Sequence, residues 1–189
     1  DPLWSRGLGD VYKRQRLTFA TRAGPPVVAT VMMSRPRNAG RAHVTGVEAA
    51  YSRRFAGGFG VWASATLVDA GSRDDKGRAG RLNGVSRLSY SISPFIERGP
   101  LHAHLSWTWR SPFGSEADMQ GGGVSSFVVA SAGYLDVAGS YVVTPRVSLF
   151  VEAGNLTDTV DAAYERDRSR PLQIGRSGRS FSLGFRVRI

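Results

Sequence analysis

The sequence contains no cysteine, which excludes disulfides and thiolate metal sites. It also lacks any run approaching the roughly 18–20 apolar residues that a membrane-spanning helix needs, which excludes a helical membrane protein. A signal peptide is not recognisable at the start of the sequence, because the charged, apolar and small-residue zones of such a peptide are absent there. A membrane β-barrel is not excluded by these absences, because only every second residue along each of its strands faces lipid.

Negative charge is scarce relative to positive charge. The chain has 25 Lys and Arg against 15 Asp and Glu, a formal net charge of +10. Such a balance raises nucleic acid as a partner. The Arg residues are dispersed, however, and no nucleic-acid-binding motif accompanies them, so no nucleic-acid partner is expected. A soluble basic β domain remains an alternative, and it would require the apolar strand faces to meet in a core.

The most informative feature of the sequence is an alternation of apolar and polar residues with a period of two. At the end of the chain, one face would carry Phe181, Leu183, Phe185, Val187 and Ile189. The intervening residues are Ser, Gly and Arg. An α-helix, with 3.6 residues per turn, would scatter both sets around its surface. The pattern therefore predicts a β-strand at the C-terminal end.

Further segments repeat this alternation, and each is about as long as the 9–11 residues that a tilted strand needs to cross a bilayer. The clearest are residues 59–67, 101–110, 135–143 and 147–152. In all, about nine strands are predicted, the first near residues 16–23. Bacterial single-chain barrels have even strand numbers, so further strands are expected upstream.

The connections between these segments alternate between short and long. Short, Gly- or Pro-containing turns are predicted at residues 24–26, 57–58, 98–100 and 144–145. Longer polar loops are predicted at 35–41, 69–81, 111–130 and 157–177. This alternation is typical of bacterial outer-membrane barrels, with tight periplasmic turns and long extracellular loops. We therefore predict an all-β fold, the C-terminal part of an antiparallel transmembrane β-barrel in the bacterial outer membrane.

The first fifteen residues, DPLWSRGLGDVYKRQ, do not share the strand pattern. They resemble a translated cloning adapter, so residues 1–15 are expected to be non-native and disordered. Residues 16–189 are expected to form the barrel segment.

Four stretches, in order, resemble the barrels of TonB-dependent receptors. They are NAGRAHVTGVE at 38–48, GYLDVAGSY at 133–141, LFVEAGNLTD at 149–158 and GRSFSLGF at 178–185. The resemblance implies a receptor that imports a scarce nutrient such as a ferric siderophore, driven by the TonB energising complex. It also implies an N-terminal plug, expected to be missing from this chain. The alternative is a small passive porin-like or adhesion barrel without a plug.

The resemblance also implies that the last strand carries a signal for the barrel assembly machinery, at Phe181, Phe185 and Ile189. The family usually ends on an aromatic residue, and this chain ends on Ile189. The other expected partners are outer-membrane lipid and a small-molecule ligand such as an iron chelate.

Charged and imidazole side chains on the polar strand faces are the candidates for contacts with a ligand or with the plug. These candidates are Glu48, Arg87, His102, His104, Arg110, Glu152 and Arg186. His102 and His104, two apart on one strand face, have a spacing that can hold a metal, but no third ligand lies nearby in sequence. The sequence predicts solvated lumen residues there, and no metal site, no cofactor and no catalytic residues.

Overall fold

The computed structural model describes residues 8–19, 27–38, 40–74, 76–119, 123–165 and 167–188. No helix within these residues is long and apolar enough to cross a membrane. The chain divides into two compact units, the smaller made of residues 1–44, 70–82 and 118–124 and the larger of residues 45–69, 83–117 and 125–189.

The smaller unit contains a long antiparallel hairpin of β1 (Leu8–Phe19) and β2 (Val27–Asn38). The two strands pair without interruption from Leu8 opposite Asn38 to Phe19 opposite Val27. Residues 8–15 thus form part of a strand, where the sequence predicted disorder, because their backbone groups pair with those of β2. The predicted turn at 24–26 lies outside the described residues. That residues 1–15 are non-native stays a prediction.

The principal sheet is an antiparallel path of seven strands in the order β14-β11-β10-β7-β6-β4-β3, with the short β5 added to β4. Its strands are β3 (Gly40–Arg54), β4 (Phe59–Asp74), β5 (Ala79–Arg81), β6 (Leu88–Arg98), β7 (Leu101–Arg110), β10 (Ala132–Thr144), β11 (Val147–Gly154) and β14 (Ser180–Val187). The predicted antiparallel all-β fold is confirmed for the described residues.

Tight connections occur at one end of this sheet, where the sequence predicted them. A single 3-10 turn, Ala56–Gly58, joins β3 to β4, with Gly57 and Gly58 at φ of +80° and +85°. Two-residue turns join β6 to β7 and β10 to β11. Gly99, in the first of these, has a φ of +57°, a conformation that glycine adopts without steric cost.

The long connections at the opposite end differ from the prediction. They contain β8 (Phe113–Met119), β9 (Gly123–Val129), β12 (Val160–Tyr164) and β13 (Pro171–Arg176) in place of irregular loops. These four strands form a second sheet in the order β13-β12-β9-β8. The described residues therefore contain fourteen strands, nine of them corresponding to the predicted set and five short ones in the connections. β-Pairing between the connections, rather than loop structure, satisfies their backbone groups.

The principal sheet has one apolar and one polar face, because strand partners in register share a face. On one side, Phe185 is opposite Leu149 and Leu183 is opposite Val151. The apolar side is strongly exposed, with Leu183 at 83% and Phe185 at 71%. Among the described side chains only Phe95, Ala132 and Ala163 are buried hydrophobics. The soluble-domain alternative requires the apolar strand faces to meet in a core. Among the described residues they do not meet.

Two aromatic rings on the polar side lie directly over glycines of neighbouring strands. Phe95 is paired with Gly60, and Phe150 with Gly184. A Cβ atom added to either glycine would overlap the facing ring. The absence of a side chain at these glycines is therefore what lets the aromatic rings lie flat against the sheet.

Candidate functional site

The polar side of the principal sheet, called the polar face below, is built from alternate residues of the seven strands of the path. Hydroxyl groups dominate its centre, and two hydroxyl pairs cross between strands there. The Oγ atoms of Ser64 and Ser91 are 2.9 Å apart, and Ser93 Oγ donates to Ser106 Oγ over 3.0 Å. Thr108 lies opposite Ser91 on the next strand. The alternation places these polar side chains together because a period of two matches the pleat.

His102, His104 and Glu152 lie on the polar face and line the same cavity of about 230 Å³. In the strand register, His102 is opposite both Glu97 and Ser140, while His104 is opposite Ala138. The described residues include no group of three or more His, Asp or Glu side chains arranged to hold a metal ion. The cavity thus brings three of the predicted residues together.

Aromatic rings line another part of this cavity. Trp62 stacks on Phe95 with ring centroids 4.2 Å apart, and Phe150 contributes a third ring. The guanidinium of Arg54 lies 5.6 Å from the Phe95 ring centroid and 2.5 Å from a Glu97 carboxylate oxygen. The negative charge of Glu97 is therefore matched by a cation from β3.

The contacts of Arg54 also indicate on which face of the sheet Glu48 lies. Both residues are on β3 and six positions apart, so in a strand they share a face. Because Arg54 contacts Glu97 and Phe95 on the polar face, Glu48 is assigned to that face as well.

The remaining predicted contacts are dispersed. Arg186 lies on the polar face opposite Ser148. Arg87 lies in the bend before β6, and its carbonyl oxygen accepts a hydrogen bond from the Val68 N–H. Neither Arg186 nor Arg87 lines the cavity that contains His102 and His104.

Two of the three residues predicted to carry the assembly signal, Phe181 and Phe185, occupy the opposite, apolar face. Phe181 and Phe185 of β14 are opposite Ala153 and Leu149, and each is 71% exposed. Ile189 lies outside the described residues.

A second and larger cavity on the polar face, about 340 Å³, is lined mainly by hydroxyl side chains from β4, β6 and β7. Arg110, at its margin, is engaged elsewhere. Its Nη1 donates to the Ala130 carbonyl oxygen over 2.9 Å, and its Nη2 lies 3.8 Å from Asp161 Oδ1. Tyr134 donates its hydroxyl to the same Asp161 oxygen over 2.6 Å. These contacts join the wall of the cavity to β12 in the second sheet.

Asn155, the first residue after β11, is the one buried polar residue among the described side chains, and it is fully hydrogen-bonded. Its backbone N–H donates to Asp136 Oδ1 over 2.8 Å, and its Nδ2 donates to the Gly178 carbonyl over 3.0 Å. Its Oδ1 accepts the backbone N–H of Thr159 over 2.9 Å. Asn155 has a φ of +51°, a conformation that Asn tolerates better than most residues. It therefore connects β10, the exit from β11 and the entry to β14.

An ion pair closes the base of the hairpin formed by β12 and β13. Arg176 binds Asp158 with two nitrogens, Nε at 3.1 Å from Oδ1 and Nη2 on Oδ2. Donation from this guanidinium lowers the pKa of the Asp158 carboxyl below its ordinary value. Arg179, nearby in sequence, donates from Nε to the Leu156 carbonyl over 2.9 Å. The segment after Asn155 is thus held by the side chains of two residues further along the chain, Arg176 and Arg179.

In the smaller unit, Asp74 organises a tight turn. Its carboxylate accepts the backbone N–H groups of Lys76 and Arg78 and the Nε of Arg78, at 2.9, 2.8 and 2.7 Å. These hydrogen bonds, led by the one from the Arg78 backbone, lower the pKa of Asp74. The carboxylate of Asp74 therefore stabilises this turn.

Sequence reasoning missed the hydroxyl cavity and the Asn155 centre. Serines on a polar strand face give no local sign that they line a cavity. For Asn155 a local signal did exist. It is followed by the turn-forming residues Thr157 and Asp158, and Asn and Asp side chains bond their own backbone in turns.

One family model matches the chain, described as TonB dependent receptor-like, beta-barrel, over residues 10–156. No curated protein and no solved structure matches the chain.

Proposed function

Because the chain belongs to the TonB-dependent receptor-like β-barrel family, we propose that it forms part of a closed outer-membrane barrel that imports a scarce nutrient, such as a ferric siderophore. Membership implies interaction with TonB and ligand transport in general, and the family is normally found in the bacterial outer membrane. On this proposal the chain binds and transports a ligand and catalyses no reaction.

The two-faced sheet supports the proposal most directly. Exposed apolar side chains such as Leu183 suit contact with lipid, while the polar face suits a wet lumen. A sheet in lipid must also satisfy its edge groups, so β3 and β14, the ends of the described path, would pair with further strands in the closed barrel.

The positions of the connections support an orientation. Short turns at one end would face the periplasm, and the second sheet at the other end would face the outside. In this orientation the 340 Å³ cavity lies toward the external end, near residues 64–66, 89–91 and 108–110, where an arriving ligand would meet it.

The test is energised uptake by the receptor expressed from its complete gene. A strain lacking the gene is compared with the complemented strain for accumulation of radiolabelled nutrients, including ferric chelates, with and without an uncoupler of the inner membrane. We expect accumulation that depends on both the gene and the proton gradient. Gene-dependent passage that persists with the uncoupler, together with steady conductance in planar bilayers, would instead identify the passive porin-like alternative.

A further inference from the structure

Arginine is concentrated at the end of the principal sheet that carries the short turns, called the short-turn rim below. This rim consists of residues 53–59, 97–101, 143–147 and 186–188. It contains six arginines and a single carboxylate, that of Glu97. The three predicted long connections that follow β3 contain, in contrast, nine Asp or Glu and eight Lys or Arg. Positive charge is therefore in excess at the short-turn rim.

On the premise that the proposed function holds, the short-turn rim lies at the inner, periplasmic surface of the outer membrane. We infer that Arg53 and Arg98 bind the phosphate groups of anionic phospholipids there, phosphatidylglycerol being the simplest example. A cationic rim beside a negatively charged membrane surface is electrostatically favourable. The site would select the lipid around the barrel, and it is separate from the nutrient that the receptor transports.

Both arginines lie on the apolar face of the sheet. Arg54 contacts Glu97 on the polar face. Its neighbours Arg53 and Phe55 therefore lie on the apolar face, because successive residues of an extended chain point to opposite sides. Arg98 follows Glu97 on β6 and is on the apolar face for the same reason. The two guanidinium groups thus belong to the face that would meet lipid.

Exposed aromatic side chains mark the same end of the apolar face. Phe55, Phe59 and Tyr141 are exposed by 50%, 54% and 48%. In outer-membrane barrels such rings form girdles at the interface between hydrocarbon and headgroups. The guanidinium carbon of Arg53 lies 5.5 Å from the centroid of the Phe55 ring, and this cation–π contact holds the charge at the level of the girdle. Lipid phosphates lie at that level as well.

Guanidinium groups suit a lipid phosphate, because their N–H donors form a planar fork that can bind two phosphate oxygens at once. Arg98 is the last residue of β6 and lies two positions beyond Ile96, which is opposite Phe59. Arg98 is therefore closer to the headgroups than the Phe59 backbone is. A basic residue at an anionic membrane surface strengthens attachment about fivefold. Two such residues should give a clear preference for anionic over zwitterionic lipid.

The experiment measures lipid binding by the intact receptor, purified in detergent from its complete gene. Native mass spectrometry gives the affinities for phosphatidylglycerol and phosphatidylethanolamine with identical acyl chains, and calorimetry gives the affinity for poly-glutamate. The variants are Arg53→Gln, Arg98→Gln and the double substitution. The matched control is Arg186→Gln, which removes the same charge at the same rim but from the polar face. Resistance of the folded band to unfolding in detergent on gels verifies that each variant is folded.

We expect wild type to bind phosphatidylglycerol more tightly than phosphatidylethanolamine. Each single substitution should weaken phosphatidylglycerol binding about fivefold and leave phosphatidylethanolamine binding unchanged. Arg186→Gln should leave both affinities unchanged. The inference is overturned if folded wild type shows no preference for phosphatidylglycerol, or if Arg186→Gln reduces that preference as much as Arg53→Gln does.

The remaining outcomes separate this site from other partners and from the proposed function. Poly-glutamate binding that needs Arg53 and Arg98, without any lipid preference, would overturn the inference and assign the rim to an acidic protein. Energised uptake by a receptor without lipid preference would remove the inference and keep the proposed function. A lipid preference together with uncoupler-insensitive uptake would keep the lipid site and remove the proposed function.

Discussion

The backbone N–H of Asn155 donates a hydrogen bond to the carboxylate of Asp136 over 2.8 Å, linking the residue that follows β11 to β10, nineteen positions earlier. Because Asn155 is buried and bonded through its Oδ1 and Nδ2 as well, it fixes the point at which the chain leaves β11.

Asn155→Ala is therefore expected to lower stability by about 1–3 kcal/mol, since the half-buried Gly178 carbonyl and Thr159 N–H lose their hydrogen bonds. Asn155→Gly separates this effect from backbone strain, because glycine tolerates the φ of +51° but lacks the amide. The temperature at which the receptor loses its compact gel mobility gives the measurement. Equal stability of wild type and Asn155→Gly would mean that the conformation, and not the amide, matters.

The ion pair of Asp158 with Arg176 should make the hairpin of β12 and β13 sensitive to pH. Because the folded state lowers the pKa of Asp158, the stabilisation is present above the ordinary carboxyl pKa of about 3.9 and is lost as pH falls through the lowered pKa. Asp158→Asn should remove this dependence and loosen the hairpin at neutral pH.

Hydrogen–deuterium exchange of residues 157–177, corrected for intrinsic rates, measures the effect. Faster exchange in Asp158→Asn than in wild type is expected at neutral pH, with the difference vanishing in strong acid. Glu165→Gln is the control, because Glu165 and Arg170 are in the same hairpin but 4.0 Å apart and exposed. A control as labile as Asp158→Asn would argue against a specific role for the pair.

Glycine at position 60 should resist substitution even by alanine. The added methyl group would overlap the Phe95 ring, and such overpacking costs about 1–3 kcal/mol. Gly139→Ala is the matched control, because its new methyl would meet the Ala103 Cβ at an ordinary 3.5 Å. Assembly yield and thermal stability of the receptor are compared, and Phe95→Leu is added to Gly60→Ala to relieve the overlap. Failure of Phe95→Leu to restore stability would place the defect elsewhere.

The apolar face should not accept charge if it faces lipid. Leu183→Arg, at a position 83% exposed, should cost about 2–4 kcal/mol if it lies near the bilayer centre and should reduce assembly into the outer membrane. Ser182→Arg places the same charge on the polar face one residue away, so it should assemble normally. Similar assembly of the two variants, measured in isolated outer membranes, would contradict the lipid-facing assignment.

The sequence was sufficient to predict the strand faces but not the cavities. Alternation is local, so the assignment of Leu183 and Val151 to the apolar side follows from each strand by itself. The short turns carried their own signals in glycine and proline. The hydroxyl cavity, in contrast, depends on which strands are neighbours and in what register, which no single segment reveals.

The strands within the long connections were not predicted, for a related reason. Polar, Gly-rich sequence indicates loops, yet β9 pairs with β12 at Val129 opposite Ala163, thirty-four positions away. Pairing at that distance arises from the arrangement of the principal sheet, and neither segment carries a pattern that specifies the other.

That pairing also bears on how such a receptor could diversify. The Ala130 N–H donates to the Ala162 carbonyl over 2.8 Å, a main-chain bond that is indifferent to side-chain identity. Side chains of these strands can therefore be exchanged without breaking the main-chain bonds that join them.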